Sequence, residues 1–223
     1  DWIYELVDGI IGDNYPHPDR MLRHVELVVN DYLIQELCYN EPLEGRFNTF
    51  AVEGATAGMC YIFDSLIANN ILSKGDKIAL MSPIFTPYLE IPHLPRYNFE
   101  VINICADEMD EEGRHTWQYP ESEIDKLKDA SIKALFVVNP NNPPSVAMRP
   151  QSVRQLKNVV DNFNPNLMIM SDDVYSSFVE NFSSIMADLP YNTIGVYSYS
   201  KYFGVTGWRL GTIALYEDNV FDK

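Results

Sequence analysis

The sequence is poor in cysteine and in positive charge, and each shortage narrows the class of protein. Its three cysteines, Cys38, Cys60 and Cys105, show no C-x-x-C spacing, and an odd number cannot form a complete disulfide framework. We therefore expect a reducing compartment, and the predicted location is cytoplasmic. Lys and Arg number 16 against 32 Asp and Glu, which gives a formal net charge of −16. Because such a polyanion repels nucleic acid and anionic lipid, we expect neither as a partner.

Long apolar runs and the short motifs of several common sites are also missing. No apolar run approaches the roughly 18 residues that span a bilayer, so we expect no membrane segment. The four histidines, His17, His24, His93 and His115, show no paired ligand spacing, and we predict no metal site. The sequence contains no Gly-x-Gly-x-x-Gly, no Walker motif and no Gly-x-Ser-x-Gly elbow. The chemistry must therefore come from another constellation.

The sequence does contain a regular alternation of β-rich runs and helical stretches. Strands are predicted at about 50–53, 77–82, 99–104, 132–138, 167–170, 193–197 and 210–216, and helices at about 19–38, 55–71, 121–128 and 151–162. This alternation predicts an α/β fold with a mainly parallel sheet and helices on both faces. We divide it into an N-terminal segment and helix, 1–48, and a large domain, 49–223. The chain lacks an initiator methionine and stops soon after a predicted strand, so we expect a fragment.

One lysine stands among hydroxyls, aromatics and glycines in the run 197–211, YSYSKYFGVTGWRLG. A partly desolvated lysine beside another cation is a nucleophilic amine that can form a Schiff base, and Arg209 is a candidate for that cation. Arg209 can equally hold a phosphate, together with the hydroxyls of Ser198 and Ser200. A lone lysine is far more often a solvated surface group. Taken together, however, the residues around Lys201 predict a covalent site for a phosphorylated aldehyde, pyridoxal 5'-phosphate (PLP).

The run Ser-x-Ser-Lys, followed eight residues after the lysine by the arginine of Gly-Trp-Arg-x-Gly, resembles the signature of the fold-type I, class I/II aminotransferase superfamily. The resemblance implies that Lys201 binds PLP and that Arg209 binds its phosphate. Ala55 and Thr56 match the family's small-residue turn that binds the same phosphate. A helix that begins there attracts phosphate through its free N–H groups. A plain helix cap at Thr56 explains the same residues.

Two further loops that follow predicted strands carry matches to the family. Phe85 stands two residues after a proline, where the family places an aromatic ring flat on the cofactor; ordinary core packing is the alternative. Asn142 matches the asparagine of an Asn-Pro-Thr-Gly turn, which hydrogen-bonds the cofactor's 3-oxygen. In this sequence Pro144-Ser145 replaces Thr-Gly, and a proline-rich turn without a binding role is the alternative.

The predicted strand at 167–170 runs into two adjacent aspartates. A carboxylate beside the pyridine nitrogen of PLP keeps that nitrogen protonated and makes the ring an electron sink. The family's Asp-x-x-Tyr spacing selects Asp172 over Asp173 for this position and assigns Tyr175 to the 3-oxygen. A helix cap by either aspartate is the alternative.

Longer runs resemble the aspartate 4-decarboxylases (aspartate β-decarboxylases), which are related to aspartate aminotransferases. They are GDNYP at 12–16, VEGATAGMCY at 52–61, RHTWQYP at 114–120 and IGVYSYSKYFG at 194–204. The resemblance implies conversion of L-aspartate to L-alanine and carbon dioxide, with Lys201 as the base and with some aminotransferase activity. An aminotransferase for aspartate or another amino acid is the alternative. A more remote one is a non-catalytic PLP-sensing module of a transcription regulator.

The same resemblance has implications for assembly. It implies a homodimer or a larger homo-oligomer, in which Tyr15 reaches the phosphate of the neighbouring subunit's cofactor; a tyrosine in a plain turn is the alternative. The family also has a smaller domain, whose C-terminal part carries the arginine that binds the substrate's α-carboxylate. We expect this chain to lack most of that domain and therefore to be inactive alone.

Overall fold

The computed structural model describes Ile3, Tyr4, Val7, Met21, residues 23–38 and residues 47–222. The strands are β1 Phe47–Val52, β2 Lys77–Ser82, β3 Glu100–Cys105, β4 Ile132–Val138, β5 Met168–Asp172, β6 Thr193–Ser198 and β7 Gly211–Tyr216. The α-helices are α1 Arg23–Leu37, α2 Ala55–Ala68, α3 Thr86–Glu90, α4 Glu121–Ile124, α5 Pro150–Asn162 and α6 Ile185–Asp188. Short 3-10 helices include Ser176–Phe178, Thr206–Trp208 and Val220–Asp222.

The seven strands form one sheet in the order β1-β7-β6-β5-β4-β2-β3. Strand β7 runs antiparallel to both of its neighbours, β1 and β6. Every other neighbouring pair is parallel. The predicted mainly parallel α/β sheet is therefore confirmed. Because six strands point the same way, the loops at their carboxyl ends meet at one edge, where open α/β sheets bind their ligands.

The period of two along each strand divides the core between the two faces of the sheet. On β2, Ile78 and Leu80 pack toward α2, whereas Ala79 and Met81 pack toward α4 and α5. On β4, Phe136 belongs to the first cluster, and its ring stacks on Phe63 with the centroids 4.5 Å apart. A sheet that is buried on both faces explains why β4 has the near-continuous apolar sequence IKALFVV.

Helix α1 packs on the same face as α5, at the other end of the sheet. Leu33 and Leu37 lie in one buried cluster with Phe47 of β1 and Tyr197 of β6. The amide N–H of Ser184 donates to the carbonyl of Leu37 at 2.8 Å, which ties the end of α1 to the segment after β5. The large domain, predicted to begin at residue 49, thus shares a core with α1, and its first strand begins at Phe47.

Some element boundaries differ from the prediction. Helix α2 ends at Ala68 rather than near residue 71, because Asn70 adopts the left-handed conformation with φ of 58°. The helix predicted at 121–128 is one α-helical turn, α4, followed by the 3-10 helix Asp125–Lys128. Strand β5 extends past the apolar run to Asp172, which pairs with Val138 of β4. In the described part of the chain, no helix combines the length and the apolarity that a bilayer-crossing helix needs.

Candidate active site

A pocket of about 170 Å³ opens at the carboxyl edge of the sheet, beside the first turn of α2. Ten residues singled out from the sequence line it: Ala55, Thr56, Phe85, Asn142, Asp172, Tyr175, Ser198, Ser200, Lys201 and Arg209. Val138, Val174 and Thr206 also line it, and sequence reasoning missed them because small apolar and hydroxyl side chains carry no distinctive pattern. Tyr15 lies outside the described residues, so its position stays a prediction.

The strand period decides which side chains face this pocket. Val138, Asp172 and Ser198 are the last residues of β4, β5 and β6, and all three line the pocket. They stand two residues after Phe136, Met170 and Val196, which pack on the α2 face. Since strand side chains alternate, these three terminal residues extend the α2 face of the core into the pocket.

The turn before α2 exposes backbone donors to the pocket. Gly54 is the N-cap of α2 with φ of 89°, and no side chain caps this helix end. The alternative that Thr56 caps the helix is therefore wrong: it is the second helical residue. The N–H groups of Ala55 and Thr56 lie in the first turn, where no intrahelical acceptor exists. This helix end therefore offers donors and a partial positive charge to an anion.

Arg209 lies directly against that helix end. Its guanidinium donates to the carbonyl oxygens of Glu53 and Thr206, both at 3.0 Å, and more weakly to Ser200 Oγ at 3.4 Å. A Cβ atom built on Gly54 would collide with Arg209 Nη2. Position 54 therefore needs glycine for two reasons, its positive φ and the closeness of the guanidinium.

Gly211 brings the start of β7 against the same turn. A Cβ atom there would lie 2.9 Å from Gly54 Cα and 2.9 Å from the carbonyl oxygen of Tyr197. Such a distance excludes any other residue without a backbone shift. Gly211 thus sets the position of Arg209, two residues earlier. This close packing explains why the Gly-Trp-Arg-x-Gly motif ends in glycine.

The two serines of the lysine motif are buried beneath the arginine. Ser198 Oγ donates to the carbonyl of Leu210 at 3.4 Å and accepts from the N–H of Ser200 at 3.3 Å. Lys201 follows on an exposed turn. The backbone carbonyl of Lys201 accepts a hydrogen bond from the N–H of Gly204 at 3.1 Å. The expectation that Lys201 is partly desolvated is not met in the isolated chain, where this residue is exposed.

Asp172 is buried at the base of the pocket. Tyr88 donates its hydroxyl to Asp172 Oδ2 at 2.9 Å, and the N–H of Val174 donates to Oδ1 at 3.2 Å. Burial raises the pKa of Asp172 to about 6, against the lowering effect of these two hydrogen bonds. A cation beside the carboxylate would offset that desolvation. Tyr88 is a further residue of the site that the sequence did not single out, because a buried tyrosine in a short helix is usually core.

Asp173 points to the opposite face of the sheet. Its carboxylate accepts hydrogen bonds from Ser171 Oγ at 2.9 Å and Ser184 Oγ at 2.7 Å. Burial raises its pKa to about 7. The 3-10 helix that follows has Tyr175 as its N-cap and no side-chain cap, so the alternative that either aspartate caps it is wrong. Of the two aspartates, only Asp172 lines the pocket.

Phe85, Asn142 and Tyr175 complete the walls. Phe85 is half-buried and packs against the core on the α2 side of the sheet. It also lines the pocket, so the two alternatives for Phe85, a core residue and a residue of the pocket wall, do not exclude each other. Asn142 Nδ2 donates to the hydroxyl of Tyr175 at 3.3 Å, so these two side chains converge on one point. Ser145, which replaces the family's glycine, adopts φ of 60°. This left-handed conformation is the one that glycine adopts most easily.

The pocket has two electrostatic ends. Arg209 and the first turn of α2 make one end positive, although the chain as a whole is strongly acidic. The carboxylate of Asp172 makes the other end negative at neutral pH. A ligand that fits both ends carries a phosphate on one side and a basic nitrogen on the other. PLP has that arrangement.

An α/β sheet with an anion cradle and a buried carboxylate at its carboxyl edge is the framework of a PLP-dependent transferase, and fold and pocket define that class. Residues 53–223 match the family described as Aminotransferase class I and II. The chain belongs to this family, whose members depend on PLP.

Individual relatives are longer than this chain. It is 48% identical over 221 residues, 99% of its length, to the bifunctional aspartate aminotransferase and L-aspartate beta-decarboxylase of a Pseudomonas species, of which it covers 41%. It is 26% identical over 169 residues, 74% of its length, to the aspartate aminotransferase of Pyrococcus horikoshii, of which it covers 40%. The chain thus spans about two fifths of the length of these curated relatives.

Solved structures support the fold. An aspartate aminotransferase mutant from Thermus thermophilus matches with a TM-score of 0.68 and 19% identity, over 88% of this chain and 49% of that one. An alanine aminotransferase from Pyrococcus furiosus matches with a TM-score of 0.69 and 21% identity, over 86% of this chain and 45% of that one. At such identities the likeness concerns the fold alone.

Proposed function

We propose that the protein to which this chain belongs is a PLP-dependent enzyme that removes the β-carboxylate of L-aspartate, yielding L-alanine and carbon dioxide, and that also transfers amino groups. The observation that carries the PLP part is the convergence of ten residues, drawn from five separate segments of the chain, on one pocket. The substrate part rests on the Pseudomonas relative, whose name includes both activities.

The positive end of the pocket would hold the cofactor's phosphate. Arg209 presents a guanidinium that is already oriented by Glu53 and Thr206, so little side-chain entropy is lost on binding. The hydroxyl of Ser200 and the N–H groups of the first turn of α2 supply further donors, and Ser198 would join them by turning its hydroxyl away from the carbonyl of Leu210. A phosphate oxygen satisfies these groups better than water, because the donors converge from a fixed framework.

The other end would hold the ring. Asp172 would face the pyridine nitrogen, and its buried carboxylate stabilises a protonated nitrogen there. Phe85 would pack against the ring face, and Asn142 with Tyr175 would bind the 3-oxygen. When bound, PLP supplies an electron sink for the carbanion that forms on the substrate.

Lys201 would bind the cofactor covalently and, once displaced by the substrate, would take the proton from the substrate's Cα at Nζ. In the proposed decarboxylation the bond between Cβ and the β-carboxylate breaks, carbon dioxide leaves, Cβ gains one proton and Cα regains the proton that Lys201 had taken, so that aspartate becomes alanine. In the transfer reaction the carbon skeleton leaves as oxaloacetate, and a keto acid takes the amino group.

The experiment that tests the proposal is product analysis of the full-length protein with L-aspartate, PLP and a trace of pyruvate. A transaminase can mimic decarboxylation, because oxaloacetate loses carbon dioxide spontaneously and regenerates pyruvate. Malate dehydrogenase with NADH, added to reduce oxaloacetate as it forms, removes this route. Alanine and carbon dioxide in equal amounts, in excess of the pyruvate added, support the decarboxylase.

The same assay identifies the second candidate, an aspartate aminotransferase, which the Pyrococcus relative favours. In that case NADH oxidation depends on the keto acid, malate accumulates and alanine stops at the amount of pyruvate added. That result contradicts the decarboxylase. Full-length Lys201→Ala is the control, and we expect neither product from it.

Assembly and location also belong to the proposal. We propose a homodimer or larger homo-oligomer, because Phe178, Tyr202, Phe203 and Trp208 expose large aromatic surfaces near the pocket, with Trp208 77% exposed. Sedimentation of the full-length protein tests this, and a monomer at micromolar concentration contradicts it. We propose a cytoplasmic, reducing setting because all three cysteines are free thiols.

A further inference from the structure

Tyr32, in the middle of α1, lies behind the turn that carries Lys201. Its ring contacts Tyr199 at a centroid distance of 5.9 Å and Phe203 at 5.8 Å. These two residues stand two positions before and two positions after Lys201. Tyr199 and Phe203 also contact each other at 5.6 Å, so three rings close around the base of the lysine turn.

The hydroxyl of Tyr32 joins a second set of contacts. It lies 2.8 Å from the hydroxyl of Tyr197 and 3.4 Å from Ser177 Oγ, and Ser177 Oγ lies 2.8 Å from the hydroxyl of Tyr197. Tyr197 belongs to the strand that leads to Lys201. Ser177 belongs to the 3-10 helix that follows Tyr175. One side chain thus connects the lysine turn with the turn that carries another wall of the pocket.

The turn has other contacts at its ends: Thr206 Oγ1 donates to the carbonyl of Ser200 at 3.0 Å, and the ring of Tyr202 contacts that of Phe178 at 5.5 Å. The side chains between these points are little covered. Lys201 and Phe203 are exposed, and Tyr199 is only half-buried. Helix α1, by contrast, is fixed to the sheet by buried Leu33 and Leu37 and by the 2.8 Å hydrogen bond from Ser184. A ring anchored on that helix can therefore limit the motion of an exposed turn.

We propose that Tyr32 is a positioning residue for Lys201, acting from the face of the sheet opposite the pocket and through the rings of Tyr199 and Phe203. The inference rests on the proposed covalent role of Lys201. Tyr32 does not line the pocket. Burial raises the pKa of both Tyr32 and Tyr197, so the hydroxyl network is neutral and acts by geometry. A small misplacement of a reacting group from a distance costs up to about 100-fold in rate.

The test uses the full-length protein with Tyr32→Ala, Tyr32→Leu and Tyr32→Phe. The matched control is Tyr216→Ala, since Tyr216 borders the same cluster at the far end of β7 and its ring contacts Phe47. Three quantities are measured: hydrogen exchange of residues 199–204 in the protein without cofactor, the pH midpoint of the absorbance of the covalently bound cofactor, and kcat with KM.

We expect Tyr32→Ala to accelerate exchange at 199–204, to move the absorbance midpoint and to lower kcat about 10-fold to 100-fold, with KM changed less than about threefold. Tyr32→Leu should behave in the same way, and it carries the test if the alanine variant does not fold. Tyr32→Phe, which keeps the ring, should restore the exchange rate and most of kcat. Tyr216→Ala should change only the unfolding temperature.

The inference is overturned if a folded Tyr32→Ala or Tyr32→Leu variant shows the wild-type hydrogen exchange at 199–204 and the wild-type pH midpoint of the cofactor absorbance. It is also overturned if Tyr216→Ala shifts that pH midpoint by the same amount. A wild-type protein that binds no cofactor covalently contradicts the proposed function instead. In that case the exchange measurement alone still decides whether Tyr32 holds the turn. The two failures are therefore distinguishable.

Discussion

The hydroxyl of Tyr88, on α3, donates a 2.9 Å hydrogen bond to Asp172 at the end of β5. Both side chains are buried, and 84 residues separate them along the chain. The carboxylate of Asp172, which would pair with the cofactor's protonated ring nitrogen, thus accepts a hydrogen bond from a neutral hydroxyl. A buried carboxylate depends on such donors, because burial alone favours its protonated form.

Replacing Tyr88 by phenylalanine should weaken PLP binding. A hydrogen bond to a charged group contributes about 1.5–3 kcal/mol, so we expect a loss of affinity of about 10-fold or more. Without this donor the pKa of Asp172 rises above its present value of about 6. The loss should therefore be larger at pH 6 than at pH 8. Absorbance titrations of the full-length protein with PLP at both pH values measure it.

Tyr97→Phe is the matched control, because Tyr97 also donates its hydroxyl to a carboxylate, Asp64, and lies in the same core cluster but outside the pocket. It should leave the titration unchanged. Equal PLP affinity for wild type and Tyr88→Phe at both pH values would contradict the assigned place of Asp172.

Gly54→Ala should damage the phosphate end of the pocket. The new methyl group collides with Arg209 Nη2, so the guanidinium must leave the carbonyl of Glu53. We expect PLP affinity to fall about 10-fold or more, since a charge-assisted phosphate contact is lost. Equilibrium titration checks this. Once Arg209→Ala is present, adding Gly54→Ala should lower the affinity little further, because both changes remove the same contact.

Gly75→Ala separates the collision from backbone strain. Gly75 has φ of 85°, close to that of Gly54, and a Cβ atom there meets nothing within 4 Å. Both variants should lose roughly 1 kcal/mol of stability or more from the strained φ. Only Gly54→Ala should also lose PLP affinity. Equal affinity losses in the two variants would refute the phosphate site.

Lys201→Ala should abolish the visible absorbance of covalently bound cofactor and all turnover, because no other lysine lines the pocket among the described residues. Treatment with borohydride followed by mass spectrometry checks this directly, since borohydride fixes the cofactor to its lysine. Lys128→Ala is the control; Lys128 pairs with Asp125 on another part of the surface. Cofactor fixed to the Lys201→Ala protein would show that a different amine is used.

Asp173→Asn should change how stability depends on pH. Burial raises the pKa of Asp173 from 3.8 to about 7, so between about pH 4 and pH 7 the folded state binds a proton that the unfolded state has lost. The contribution of this group is therefore fully present below about pH 4 and is lost as the pH rises to about 7. The slope is at most about 1.4 kcal/mol per pH unit.

Asparagine does not titrate, so the free energy of unfolding of Asp173→Asn, relative to wild type, should increase steadily from pH 4 to pH 7. Urea unfolding of the full-length protein without cofactor at several pH values measures the difference. The exposed Asp161→Asn controls for the loss of one negative charge. Parallel curves for wild type and Asp173→Asn would mean that Asp173 is not buried in its neutral form.

Local patterns in the sequence were sufficient for the strands and most helices, and the family resemblance supplied most of the ten pocket residues that were named. A run such as IKALFVV is typical of a strand in a sheet covered on both faces, and the residue after such a strand lies at the carboxyl edge whatever the strand's neighbours are. The family spacing around Lys201 and Asp172 therefore named residues that the structure brings together. Their roles in binding and catalysis stay predictions.

The tertiary structure alone decided the contacts between distant segments. Strand β7 lies between β1 and β6, and the Arg209 guanidinium lies so close to Gly54 that position 54 cannot hold a Cβ. Tyr88 is hydrogen-bonded to Asp172, and the ring of Tyr32 packs against those of Tyr199 and Phe203. Most of these contacts join residues that are far apart in the chain. The short-range periodicity of a strand or helix carries no information about its partners. Such contacts form only when whole elements pack, because the side-chain volume and the backbone geometry of both partners must fit together.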